Sequence, residues 1–302
     1  MRAPRLNRMN ALEGHATLQG PADPLRQFEI NQPVDAVRVA SDPNYMTSLA
    51  RGLAVLQAFN QQRRTLSISQ ISQRTDIPRA AVRRCILTLL HLGFVASEDD
   101  RHFSLRPRVL TLGHAYLASS PLGRGAQPLL WSVRDRLEET ASIGILDGDR
   151  ILYVARASAA RLMVINLDVG SRLPANCTSI GRVLLSQLDE QAINAYLDSA
   201  RLVQYTAKTI VAVDALRAEL ERVRKQEYCI IDEELEIGLR TLAVPIFDGA
   251  HRAVAAMSVG VHTARVSVSD LMERFLPVLQ EAAREVGLLV VETPMGVNER
   301  HR

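Results

Sequence analysis

The residues best placed to do chemistry in this 302-residue chain are arginines. Between Arg63 and Arg108 nine arginines stand against four acids, so the segment carries +5. Residues 109–302 hold 21 basic and 24 acidic side chains, and residues 1–62 hold six and five. The positive excess is therefore local. Clustered guanidiniums neutralise phosphates and release counterions, and an arginine early on a helix can fork onto guanine O6 and N7 in a major groove. That is chemistry for binding a nucleic acid. A solvated face on a small helical subdomain is the plainer reading of the same charges.

Catalytic chemistry finds little support. No G-x-S-x-G elbow, P-loop, H-E-x-x-H or Rossmann glycine pattern occurs. Asp232, Glu233, Glu234 and Glu236 offer carboxylates, but four acids in five positions read more simply as a solvated turn, and no histidine is placed with them. Cys85, Cys177 and Cys229 lie far apart without metal spacing, and His91, His102 and His114 are scattered. No enzyme activity, cofactor or metal site is expected. The cysteine usage suggests a reducing, cytoplasmic setting, and no apolar run approaches a membrane span.

The elements around the arginines explain their placement. Ser67 suits an N-cap, and Ile68 and Ile71 give a short helix an apolar edge that ends near Arg74. Thr75, Asp76 and Ile77 form a turn, and Pro78 falls where proline is welcome, at the first position of a new helix. Val82, Ile86, Leu89, Leu90 and Cys85 then repeat at helical spacing, leaving Arg79, Ala80, Arg83 and Arg84 on other faces. Gly93 stops this helix. Phe94 and Val95 start a strand, residues 97–101 turn, and residues 102–105 return. Helix, turn, helix and a two-stranded wing make a winged helix-turn-helix. A preceding helix over residues 49–60, capped by Thr47 or Ser48, would bury Leu53, Leu56 and Phe59, with Val55 widening that face.

The chain divides accordingly. Residues 1–43 show no sustained period and read as a flexible extension, residues 44–106 as the winged head, and 293–302 as a tail. Residues 107–124 form a linker. Its helix carries a stripe of Val109, Leu112 and Tyr116, thickened by Leu110 and Leu117, that needs a partner surface. Residues 125–292 form a second domain that mixes short strands with helices. Expected strands cover residues 142–146, 151–155, 162–167, 242–247 and 253–261, and helices cover 129–139, 179–187, 190–199, 213–226 and 269–290. The fold class is α+β, an antiparallel sheet covered by helices.

Several motifs carry a resemblance. Ser48 through Leu56, Ile77-Pro78-Arg79 and Leu90 through Val95 resemble the DNA-binding domain of the IclR family of bacterial transcriptional regulators. Asp147-Gly148-Asp149 with Tyr153 through Arg156, Gly170 through Arg182, and Asp232 through Arg240 are similar to motifs of that family's effector domain. The likeness covers residues 45–290. It implies a GAF-like second domain, a linker helix that builds a homodimer or tetramer, and two heads reading a roughly palindromic site on double-stranded DNA. In that frame Arg79, Arg83 and Arg84 meet the major groove beside Ala80, while Arg51, Ser67, Arg101, His102, Arg106 and Arg108 lie near phosphates.

The resemblance also implies an effector pocket. A loop of small residues running into a helix start, Ala175, Asn176, Cys177, Thr178, Ser179, Ile180 and Gly181, presents backbone N–H groups and hydroxyls to a carboxylate. Simple N-capping by Thr178 or Ser179 is the alternative. Family positions also fall on Ile231, Thr241, Ser258 and Gly260. Ile231 replaces an acid and Gly260 a hydroxyl, so the pocket suits a larger or aromatic acid better than a small oxo acid. The run 155–163 looks most like the branch that controls aromatic-acid catabolism through the β-ketoadipate pathway. Two alternatives stay open: Cys177 as a redox thiol at a helix start, and a ligand-sensing module that acts through protein contacts instead of DNA.

Overall fold

The computed structural model describes residues 44–60, 63–159 and 167–290. The extension 1–43, the C-terminal tail and the strand expected over residues 162–167, Leu167 apart, lie outside the described residues.

The N-terminal head comprises α1 (Thr47–Gln57), β1 (Thr65–Ser67), α2 (Ile68–Thr75), α3 (Arg79–His91), β2 (Val95–Ser97) and β3 (His102–Leu105). Its core is a single cluster in which Val55, Leu66, Ile71, Val82, Ile86, Val95 and Phe103 are almost fully buried. The two-stranded wing expected from sequence is instead three-stranded, ordered β1-β3-β2, with Leu66 opposite Phe103. A three-residue strand has too little alternation to show in a sequence, and pairing with β3 is what defines it.

Helix α1 follows Met46 without a side-chain cap from Thr47 or Ser48, and it ends at Gln57. Its buried residues are Ala54 and Val55, Ala58 and Phe59 are buried just beyond its end, and Leu53 is exposed. Pro78 stands just outside α3, as its N-cap, and its carbonyl accepts from Ala81 and Val82 N–H. Ser67 does cap α2 as expected, in a capping box with Gln70. Asp76 closes that helix in the left-handed region at φ 53°.

The linker opens as a 3-10 turn, Pro107–Val109, and continues as α4, Leu110–Ser119. None of its residues is buried, and Leu110, Leu112, Tyr116 and Leu117 are exposed.

The second half is built on a six-stranded, wholly antiparallel sheet of order β6-β5-β4-β9-β8-β7. Its strands are β4 (Thr140–Asp147), β5 (Arg150–Ala157), β6 (Arg172–Pro174), β7 (Cys229–Asp232), β8 (Leu239–Phe247) and β9 (Ala253–His262). The edge strands β6 and β7 escaped the sequence reading. One face packs against α5 (Gln127–Leu137), a π turn (Leu271–Phe275) and α10 (Leu276–Leu289), the last two following directly on the short α9 (Val268–Asp270). That π turn interrupts the single helix expected there. The other face packs against α6 (Ser179–Ser186), α7 (Glu190–Ser199) and α8 (Val213–Gln226). Two separate apolar clusters therefore share one sheet, which fixes the facing of every strand residue. Among the described residues no helix is long and apolar enough to cross a membrane.

Candidate DNA-reading face and effector pocket

In the head, α3 divides cleanly. Val82, Ile86 and Leu89 face the core, while Arg79, Ala80, Arg83, Arg84, Leu87 and Thr88 are exposed. The pattern follows from three apolar positions spaced at helical intervals, which leave the guanidiniums no inward path. Three arginines thus share an outward surface that a small core holds rigid. Arg51, Arg101 and Arg106 are also exposed.

Other head residues have local tasks. The Ser67 hydroxyl caps α2. His102 Nδ1 lies 2.6 Å from Asp99 Oδ2, and Asp99 also accepts the backbone N–H groups of Arg101 and His102, which tightens the wing turn. These bonds, that from His102 first, hold the Asp99 carboxyl well below the usual carboxylate range. Arg108 donates to the Leu92 carbonyl at 2.8 Å and lies over the Phe94 ring, so it braces the end of α3 as well as carrying charge.

In the second half, the loop 175–178 and the first turn of α6 are buried throughout. Gly181 makes this possible: a Cβ there would stand 2.2 Å from the Ala175 carbonyl oxygen, so no other residue allows the helix to press onto its own entry loop. The Thr178 hydroxyl accepts from Gly181 N–H at 3.3 Å and donates to the Pro174 carbonyl at 2.9 Å. Capping is therefore a real task of this residue. The amide nitrogen of Asn176 is buried without a partner among the described residues.

The sheet supplies the opposite wall. Strand register places Thr140, Gly260, Thr241 and Ile231 side by side across β4, β9, β8 and β7. The adjacent row on that face holds Arg156, Ser142, Ser258 and Ala243. One position further along β4, Gly144 is covered by Ile180 of α6, whose side chain lies about 3.1 Å from where a Cβ would be. The start of α6 and these polar rows are thus neighbours.

A family model described as the IclR helix-turn-helix domain matches residues 48–99, and one described as the bacterial transcriptional regulator IclR C-terminal domain matches residues 114–288. The chain belongs to the IclR family of bacterial transcriptional regulators. It is 52% identical over 246 residues to the Pca regulon regulatory protein of Pseudomonas putida, spanning 81% of this chain and 84% of that one. It is 35% identical to the p-hydroxybenzoate hydroxylase transcriptional activator of Acinetobacter baylyi, spanning 82% and 93%. Among solved structures, the inducer-binding domain of an Acinetobacter PobR double mutant in complex with 3-hydroxybenzoic acid matches with a TM-score of 0.53 and 32% identity. It covers 55% of this chain and all but 2% of that one, at 98%.

As an IclR-family regulator the protein is a DNA-binding transcription factor and not an enzyme, and the acidic run illustrates why carboxylates alone mislead. Expected to be a solvated turn, it is an internal brace. Glu234 and Glu236 are buried. Arg182, 1% exposed, donates from Nη1 and Nη2 to Glu234 at 2.7 and 2.5 Å and from Nε to the Asn176 carbonyl at 2.7 Å. Asp232 accepts from Arg240, and Glu233 from Lys208. The two IclR-type effector-domain motifs, 52 residues apart at this pair, are one structural unit.

Cys177 and Cys229 are fully buried, and that burial pushes both thiols up to about 12. This removes the redox alternative for Cys177, because a thiolate at a helix start must first be hydrated or paired. Among the described residues no group of histidines, cysteines and carboxylates is arranged for a metal.

The facing of Arg156 could not be read from the sequence. Strict alternation along β5 puts it on the face of Leu152 and Val154, which pack in the α10-side cluster. The structure has a β-bulge there, where Ile143 pairs with Ala155 but Gly144 pairs with Tyr153, so that Arg156 turns to the α6 side. Nothing in the sequence of β5 alone announces that extra residue.

Proposed function

We propose that this regulator binds operator DNA as a homodimer, or a tetramer of two dimers, with an aromatic or dicarboxylic acid controlling its occupancy or activity at the promoter. The observation that carries the DNA half is the outward set of Arg79, Arg83 and Arg84 on a helix whose opposite face is sealed in the head core. Residues 44–106 serve as the DNA head, 107–124 as the connection and 125–292 as the effector domain. The exposed apolar residues of α4 supply a dimer seam, and two heads related by a two-fold axis read a roughly palindromic site. Its place of action is the cytoplasm, where the DNA is.

The effector sits between the loop Ala175 to Gly181 and the sheet rows carrying Ile231, Thr241, Ser258 and Gly260. Relatives named for the Pca regulon and for p-hydroxybenzoate hydroxylase, and the neighbour solved with 3-hydroxybenzoic acid, support an aromatic acid. Ile231 and Gly260 give the walls an apolar, roomy character that suits a ring. The ligand acts to the extent that it favours one arrangement of the two heads over another.

Two measurements test this. Fluorescence anisotropy with DNA from upstream of its own gene should give binding that weakens steeply with salt. Salt-insensitive or absent binding would instead favour a module that works through protein contacts. Calorimetry should register heat with hydroxybenzoates or with adipate. Heat with glyoxylate or pyruvate alone would overturn the effector class.

A further inference from the structure

We infer that Leu87 on α3 reads the C5-methyl group of a thymine in each operator half-site, next to the base pairs that Arg83 and Arg84 meet. This rests on the DNA reading above and adds to it a base that the arginines cannot select.

The case begins with where Leu87 lies. Val82, Ile86 and Leu89 hold one side of α3 in the head core. At about 3.6 residues per turn, Ala80, Arg84, Leu87 and His91 then fall within about 50° of the direction opposite that core, with Arg83 and Thr88 on either flank. All six are exposed. Leu87 is 46% exposed and takes no part in the head cluster. It stands three residues after Arg84 and four after Arg83, so the three side chains share one patch of helix surface. Helices that lie in a major groove meet base edges at i, i+3, i+4 and i+7, and here that set is Ala80, Arg83, Arg84 and Leu87.

The surrounding charges indicate what covers this patch. Among the described residues Arg79, Arg83 and Arg84 have no carboxylate partner, whereas Arg182, Arg240 and Arg252 of the second half each hold one at 2.5 to 2.7 Å. Arg79 also occupies the first turn of α3, where the helix dipole favours acids, and no acid stands there. A lone exposed leucine is ordinary on a protein surface. One set among guanidiniums that lack counter-charges is suited to a polyanion, because an apolar protein partner would bury those charges uncompensated.

Once α3 lies in the groove, Leu87 loses its water. Its isobutyl group has no donor or acceptor, and the apolar group that a base pair displays in the major groove is the thymine methyl. Over that methyl, neither side gives up a hydrogen bond. Over a cytosine, the leucine would cover the exocyclic amino group without replacing its bond to water, which is penalised. Leu87 therefore favours thymine and works against cytosine, while the neighbouring guanidiniums fork onto guanine.

The test uses the full-length protein and a duplex library with a randomised core. In the enriched site each thymine is replaced by deoxyuridine, at the same position in both half-sites together. Deoxyuridine pairs as thymine does and lacks only the methyl, so anisotropy titrations at fixed salt read the methyl alone. At one position the replacement should weaken binding by about 4-fold per half-site. Leu87→Ala should weaken binding to the thymine site at least as much and abolish the loss at that position. The head should stay folded, since Leu87 is outside the core and alanine favours helix. Binding without enrichment of any sequence, an enriched site without thymine, or one at which no replacement weakens the unaltered protein overturns the inference and leaves DNA binding standing. A Leu87→Ala protein that keeps the full loss at the same position overturns it too, because another side chain then holds that methyl. If the protein binds no duplex, both readings fall together.

Discussion

Arg182 on α6 and Glu234 just after β7 form a bidentate ion pair, 2.7 and 2.5 Å, with the arginine 1% exposed. Glu234 also accepts the Ile210 N–H at 3.1 Å, so three segments converge on one carboxylate. Removing Arg182 leaves the Glu234 carboxylate buried without its cation, and removing the Glu234 charge leaves the buried guanidinium only Glu219, 3.8 Å away. Glu234→Gln or Arg182→Met should therefore each cost about 3 to 5 kcal/mol, and the double variant should cost clearly less than the sum. Urea unfolding of the four proteins measures this, and strictly additive losses would show that the pair does not act as a unit.

Gly181→Ala should be damaging out of proportion to its size. The new methyl would meet the Ala175 backbone at 2.2 to 2.6 Å, and backbone cannot swing aside as a side chain can. We expect a loss at or above the upper end of the usual overpacking range, about 3 kcal/mol, together with weakened effector binding. Thermal melting and calorimetry on the same sample test both effects, and a neutral outcome would mean the entry loop is free to retreat.

Cys177 and Cys229 should resist alkylation in the folded protein. With both thiols pushed up to about 12 by burial, the thiolate fraction at pH 8 is roughly one in ten thousand. Cys85 is only partly buried, so it should react first, although slowly, since burial raises its thiol as well. Mass spectrometry after timed iodoacetamide exposure reads the order. Rapid labelling of Cys177 would return a redox role to consideration.

Glu236 should make stability fall with rising pH. Burial raises its carboxyl above the ordinary value, and Oε2 has no partner among the described residues. Below the ordinary carboxylate range both folded and unfolded forms are neutral and Glu236→Gln should melt like the unaltered protein. As pH rises, the unfolded chain ionises first, so the unaltered protein loses ground until its raised folded pKa is passed. Melting temperatures of the two proteins from pH 3.5 to 8 should diverge in that direction, and a constant offset would contradict the assignment.

Arg83→Ala should cost about 1 to 3 kcal/mol of operator affinity and relax sequence choice if the guanidinium reads a base edge. Competition with point-substituted operators decides the matter. Equal weakening on every sequence would reduce Arg83 to a phosphate contact.

The helices of this protein were largely legible before folding was considered. Val82, Ile86 and Leu89 seal one side of α3, so the outward set of arginines followed from spacing alone. The Ser67 cap and the capping of α6 by Thr178 were equally local. Leu53 was misplaced because α1 carries apolar residues on more than one side, and only the partners α2 and α3 decide which side is covered.

What tertiary structure alone decided are relations between segments distant in sequence. The strand β1 exists because β3 pairs with it, and Glu234 is buried because Arg182 reaches it from α6. Arg156 faces the α6 side of the sheet because one unpaired residue in β5 reverses the alternation. Amino-acid order specifies helical faces and caps within a few residues. The facing of a sheet residue depends on register with its neighbours, and register is settled only when the whole sheet assembles.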